Sequence, residues 1–262
     1  MHTHEKIQFS RQCRIALFVS TIAFLAGCNH MTPNNLTTKS TDNQPNQVSV
    51  IVLHGLGRSH RSMNTISKAL SREGYAVYNL SYPSRKLPVE QLVDLHLAPR
   101  IAQLHTQNTK VYLVTHSMGG ILARAYLEKY PNDPVDRIVM LAPPNQGSEI
   151  IDALGQYSFF RTLFGPAALQ LSTSTNALVR KLSVPSVPTG IIAGTKSYNP
   201  ITSLMIPGED DGKVSVKSTL CNGVVPQKDT FIKVPCAHTF IMNDAYVIEQ
   251  TLAFLRQGSF SL

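Results

Sequence analysis

The sequence has no internal repeat, and past its first thirty residues it has no apolar run long enough to cross a membrane. A repeat array and a multi-pass membrane protein are thereby excluded. Its 24 lysines and arginines are scattered, with no basic stripe interleaved with aromatics, so nucleic acid is not an expected partner. There is no His-Glu-x-x-His and no glycine loop of the kind that cradles phosphate. No metal site or organic cofactor is therefore implied. Cysteine is scarce, with four in 262 residues, and no further Cys or His stands at a spacing that would make a zinc site of them.

What is present begins with a leader. Residues 1–14 carry Lys6, Arg11 and Arg14 against Glu5, and residues 15–26 are apolar except for Ser20 and Thr21. A basic n-region before a short apolar segment is a signal-peptide pattern. It ends Leu25-Ala26-Gly27-Cys28, which resembles the lipobox of bacterial lipoproteins. That resemblance implies cleavage after residue 27 and lipid on the Cys28 sulfur. It also implies outer-membrane placement, because Asn29 rather than Asp follows. Residues 28–47 are rich in Asn, Thr, Ser, Gln and Pro and cannot bury enough surface to order themselves, so a flexible tether is expected. The formal charge is +8, of which +6 remains once the leader is gone, an excess suited to an anionic membrane surface. With Cys13 in the leader and Cys28 lipidated, Cys221 and Cys236 remain as a pair in an oxidising compartment. A bridge between them is expected; closing a loop of about 15 residues would contribute on the order of 3 kcal/mol.

Residues 48–262 suit one α/β domain with a sizeable core. Buried-strand signatures fall at 48–53, 76–80, 110–115, 135–141, 189–193 and 230–234. Helical spacing falls between them at 63–72, 89–107 and 119–130, and again at 243–256, with Pro99 expected to kink the second of these. The alternation predicts a doubly wound, mostly parallel six-stranded sheet, with sites at the strand C-terminal ends. Residues 145–187 break the rhythm. They hold Phe159, Phe160, Leu163, Phe164 and Leu169 among small polar residues, and read either as a helical lid or cap over that edge or as an excursion filling the core.

The most informative stretch is residues 111–121, where an apolar strand enters Thr115-His116-Ser117-Met118-Gly119 and a helix leaves it. That strand–turn–helix context gives a G-x-S-x-G pattern meaning, although Thr115 replaces its first glycine. Ser117 is the candidate nucleophile. A serine hydroxyl needs a base, and the base needs a carboxylate to hold its tautomer. His238 is the one histidine beyond Ser117, and it follows the sixth strand. His116 should point away from the hydroxyl and is read as structural, while His96 and His105 are read as solvated helix residues. The carboxylate comes from Asp210 or Asp211 after the fifth strand. Amides of Met118 and of Leu56, in the loop His54-Gly55-Leu56-Gly57, are the expected oxyanion donors.

These pieces resemble the α/β-hydrolase superfamily, most of all its small bacterial lipases and carboxylesterases. Residues 52–56, 115–120, 142–148, 211–214 and His238 carry the likeness. Asp211-Gly212-Lys213-Val214 is similar to the Asp-Gly-x-Val stretch that bears the acid in those lipases, which implies Asp211 rather than Asp210 as the acid, and Pro144-Asn145-Gln146-Gly147-Ser148 is similar to a Pro-Asn-x-Gly-Ser loop in them. The resemblance implies a cofactor-free serine ester hydrolase acting on an acyl ester or lipid. Two alternatives stand beside it. One is a thioesterase, lysophospholipase or acyltransferase on the same fold; the other is a non-catalytic lipoprotein binding module.

Overall fold

The computed structural model describes residues 48–107, 109–221, 224, 227–261; the expected leader, Cys28 and the tether lie outside them. Six strands are observed: β1 (Ser49–Leu53), β2 (Ala76–Leu80), β3 (Val111–His116), β4 (Arg137–Leu141), β5 (Thr189–Gly194) and β6 (Phe231–Val234). Every pairing is parallel, in the order β2-β1-β3-β4-β5-β6. The chain runs outward from β1 to β2, then crosses back over β1 to β3. The winding therefore reverses between β1 and β3, and the loops leaving these two strands part at their C-terminal ends, which opens a crevice there. In register Leu53 faces Thr115, and His116 faces Leu141, so the loops after β1, β3 and β4 leave from one edge.

The sheet is covered on both faces, which is why its central strands are unbroken apolar runs. On one face Val50, Val52, Val114, Val139, Ile192 and Val234 pack with Met63, Ile66 and Leu70 and with Val247 and Phe254. The last five come from the start and body of α1 (Asn64–Arg72) and from α10 (Ala245–Gln257). α10 is held at both ends, by the Asp244 carboxylate accepting from Val247 N at 3.0 Å and by Gly258 at φ 84°. The other face carries α2 (Val89–Leu92), α3 (Ala98–Thr106) and α4 (Met118–Lys129). The expected single helix over 89–107 is divided. A π turn at Val93–Leu97 joins α2 to α3, and Pro99 lies in the first turn of α3. A wider turn before the proline accommodates its missing N–H.

Residues 145–187 form α5 (Glu149–Leu154), α6 (Ser158–Leu169) and α7 (Leu178–Lys181). α6 bends sharply at Gly165, whose φ of 73° is open to glycine. Phe160 and Val179 are buried, while Tyr157 and Phe159 are exposed. Two short helices, α8 (Pro200–Ser203) and α9 (Val216–Thr219), flank the loop after β5.

The expected Cys221–Cys236 bridge is absent, and both thiols are free. The reason is topological. Cys236 packs against the α1/α10 face and neighbours Asp244, whereas Cys221 is buried beside Arg124 of α4, on the opposite face. Sequence separation carries no information about which side of the sheet each sulfur occupies.

Candidate active site

Ser117 sits between β3 and α4 with φ 54° and ψ −124°, a conformation a side-chain-bearing residue adopts at a cost of about 1–3 kcal/mol. The turn is held from both sides: Ser117 N donates to Leu141 O, and Gly120 N to Ser117 O, each at 2.9 Å. Close packing demands glycine around it. A Cβ on Gly119 would lie 2.7 Å from Leu53 O, and one on Gly55 would lie 3.0 Å from both Ser117 Cβ and His116 Nδ1. Thr115, in place of the pattern's first glycine, is fully buried and remains within β3, where a β-branched residue fits.

The loop after β5 turns Asp211 inward. Asp211 Oδ1 accepts from the amides of Lys213 at 3.0 Å and Val214 at 2.8 Å, leaving Oδ2 for His238 Nδ1 at 2.7 Å. A carboxylate only accepts, so the proton lies on Nδ1 and His238 Nε2 presents its lone pair. That nitrogen is 3.0 Å from Ser117 Oγ. His238 N also donates to Asp211 O at 2.9 Å, clipping the two loops together. All three side chains are nearly withdrawn from solvent, with Ser117 9%, Asp211 2% and His238 5% exposed. The alternative acid, Asp210, accepts instead from Ser203 Oγ at 2.8 Å and Gly212 N at 2.7 Å.

Residues 144–148 brace this acid loop. Asn145 Nδ2 donates to Thr219 O at 2.8 Å, Gln146 N to Ser218 O at 2.9 Å, and Ser148 Oγ to Lys213 O at 2.9 Å. Met118 N opens α4 beside Ser117, and Leu56 N lies in the loop after β1. Among the described residues neither amide has a protein acceptor.

Several supporting residues were not anticipated. Tyr82 stacks on His54 with centroids 4.0 Å apart, and its hydroxyl donates to His54 O. Ser84 Oγ accepts from Gly57 N at 3.1 Å. Arg58 Nη2 donates to Thr239 O at 2.9 Å, tying the loop after β1 to the His238 loop. Nothing in the sequence spacing signals these contacts, because they join loops from different strands. His116 is buried as expected of a structural residue, and its Nε2 donates to His238 O at 2.9 Å. Burial, then the neighbouring His238, pushes its pKa well below the usual imidazole value. Burial likewise lowers His54 to about 4. His105, expected to be solvated, pairs with Asp133. Among the described residues no group of His, Cys, Asp or Glu is gathered to hold a metal ion, and no helix is long and apolar enough to cross a membrane.

Comparison with solved structures shows the same fold at low identity. The mature form of the Bacillus licheniformis lipase BlEst2 is 18% identical with a TM-score of 0.61, the match covering 83% of this chain and 94% of that one. A metagenomic carboxyl esterase, MGS0156, is 16% identical with a TM-score of 0.60, covering 82% and 71%. Phospholipase PlaB from Legionella pneumophila is 20% identical with a TM-score of 0.55, covering 66% and 46%. Among curated proteins none matches the chain. The family model of the alpha/beta hydrolase fold matches residues 48–182. With six parallel strands and a serine elbow at the end of β3, the chain belongs to the alpha/beta hydrolase fold family.

Proposed function

We propose that this protein is a serine ester hydrolase. The observation that carries the reading is the continuous line from Ser117 Oγ to His238 Nε2 at 3.0 Å and from His238 Nδ1 to Asp211 Oδ2 at 2.7 Å. Ser117 attacks the ester carbonyl while His238 takes its proton, and Asp211 stabilises the imidazolium so formed. The Met118 and Leu56 amides receive the oxyanion; one such donor typically contributes about 3–4 kcal/mol to the transition state. The alcohol leaves with the proton from His238. Water, deprotonated by the same nitrogen, then releases the acid from Ser117. A lipase, a carboxyl esterase and a phospholipase among the structural neighbours agree with an acyl ester as substrate.

The experiment is labelling with a fluorophosphonate alongside hydrolysis of p-nitrophenyl butyrate. Wild-type protein labels and turns over; Ser117→Ala does neither while keeping its melting temperature. Full labelling of Ser117→Ala would overturn the assignment. The same reading places the enzyme at a membrane through lipid on Cys28, with residues 145–187 acting as a cap. Cys28→Ala should release it from the membrane fraction of the expressing bacterium.

A further inference from the structure

Four cations surround the loop after β1. Arg58 follows that loop directly and reaches Thr239 O next to His238. Lys213 lies two residues beyond Asp211, whose carboxylate attracts it but is already bonded to His238. Arg85 lies over Gly57, with its Cδ 4.0 Å from where a Cβ there would stand, and Lys86 follows. Among the described residues none of these four forms an ion pair. Asp211 partly offsets Lys213, but Arg58, Arg85 and Lys86 have no ion-pair partner among the described residues, so an anion beside them gains attraction without first displacing a carboxylate.

A groove of about 710 Å³ opens at the same place, between Arg85 and Lys86 on one wall and Ser158, Phe159, Thr162 and Leu163 of α6 on the other. Its walls carry two cations, two hydroxyls, an aromatic ring and an aliphatic side chain, and no carboxylate. It adjoins the catalytic loop through a short chain of contacts. Gly55 packs on Ser117, and two residues later Gly57 packs on Arg85 and on Phe164 of α6. A groove that is cationic, hydroxylated and apolar at once fits an anionic amphiphile.

We propose that this groove receives the phosphate-bearing head of an acyl glycerol ester. The phosphate sits on Arg85 and Lys86 with a hydrogen bond from the Ser158 hydroxyl, and hydrocarbon lies against Phe159 and Leu163. The inference rests on the ester hydrolase reading for its chemistry, and names the substrate class of that site as anionic lysophospholipids. Hydrolysis breaks the acyl C–O bond, with water supplying the hydroxyl of the fatty acid and the proton of the glycerol phosphate.

The test compares 1-dodecanoylglycerol 3-phosphate with 1-dodecanoylglycerol, both below their aggregation concentrations. Wild-type kcat/KM should favour the phosphate ester by about tenfold or more, chiefly through KM, and 0.5 M salt should shrink the preference. In the double variant Arg85→Gln, Lys86→Gln the ratio should fall to within about threefold of unity. A wild-type ratio at or below one, or a ratio the double variant does not change, overturns the proposal. Calorimetric binding of the same two lipids to Ser117→Ala reads head-group preference without turnover. Absence of wild-type turnover on both lipids and on p-nitrophenyl butyrate, with selective binding, would sink the hydrolase reading and leave the head-group site standing; equal binding of the two lipids would sink this proposal alone. Inorganic phosphate should compete only weakly, and competition as strong as the lipid's would refute a lipid-specific site.

Discussion

The Nε2–H of His116 donates to the main-chain carbonyl of His238 at 2.9 Å, so the residue preceding the elbow serine supports the loop that carries the imidazole. The two rings lie 4.8 Å apart, and His116 Nδ1 has no partner among the described residues. Removing the donor leaves a buried carbonyl unpaired and frees the loop to shift. A glutamine places an amide nitrogen near the position of Nε2. His116→Leu should lower kcat by about tenfold with KM nearly unchanged, and His116→Gln should recover most of it. Equal losses in both variants would show that the imidazole itself, rather than its donor, is what matters.

The two neighbouring aspartates should separate in kinetics. Asp211→Asn removes the carboxylate that holds the Nδ1 proton, and kcat should fall on the order of 10³–10⁴-fold. Asp210→Asn keeps an oxygen acceptor for Ser203 and Gly212, and kcat should stay within about threefold of wild type. Steady-state rates on p-nitrophenyl butyrate decide between them, and the reverse order would move the acid to Asp210.

Acid should destabilise the protein before its carboxylates titrate. Buried His54 has its pKa lowered to about 4, while in the unfolded chain it is near 6.5. Between these values the unfolded state binds the extra proton, so stability is full above about pH 6.5 and is lost as pH falls toward 4, by up to about 3 kcal/mol. His116, lowered in the same direction, adds to the loss. Urea titrations at pH 7 and pH 4.5 should show this difference. In His54→Asn, which retains a donor for Gly55 O, the dependence should be shallower; an unchanged slope would remove His54 from the account.

Arg124 anchors residues 145–183 to the core. Although nearly fully buried, it donates to the carbonyls of Asn145 at 2.9 Å, Ser183 at 3.2 Å, Val179 at 3.3 Å and also Leu182. Arg124→Leu leaves those carbonyls unpaired and should cost roughly 2–4 kcal/mol, lowering the melting temperature by about 5–10 °C. Proteolysis within residues 145–187 should accelerate in step, and a segment as resistant as wild type would contradict the anchoring role.

Much of the scaffold was legible in one dimension because a parallel sheet covered on both faces writes itself as short apolar runs between helical stretches. The six strands fall within two residues of their expected ends. Ser117 and His238 were legible as candidates for a similar reason: the elbow has a local signature, and no other histidine follows it. Asp211 was favoured over Asp210 only by its likeness to an Asp-Gly-x-Val stretch, since adjacent carboxylates otherwise differ only in which way their turn faces. The expected bridge between Cys221 and Cys236 failed because an even count and a suitable interval say nothing about opposite faces of a sheet. Arg58, Tyr82 and Arg124 carry no local signal at all.

The sequence by itself determined the layered α/β architecture, the glycine-lined serine turn and the order in which candidate catalytic groups arrive, because each depends on neighbours within a few residues along the chain. The tertiary structure decided that Asp211, the favoured of two neighbours, meets His238, that two cysteines stay apart, and that Arg58, Arg85, Lys86 and Lys213 gather beside one loop. Those outcomes depend on crossovers that bring distant loops to a single sheet edge, and distance along a chain does not encode distance across a fold.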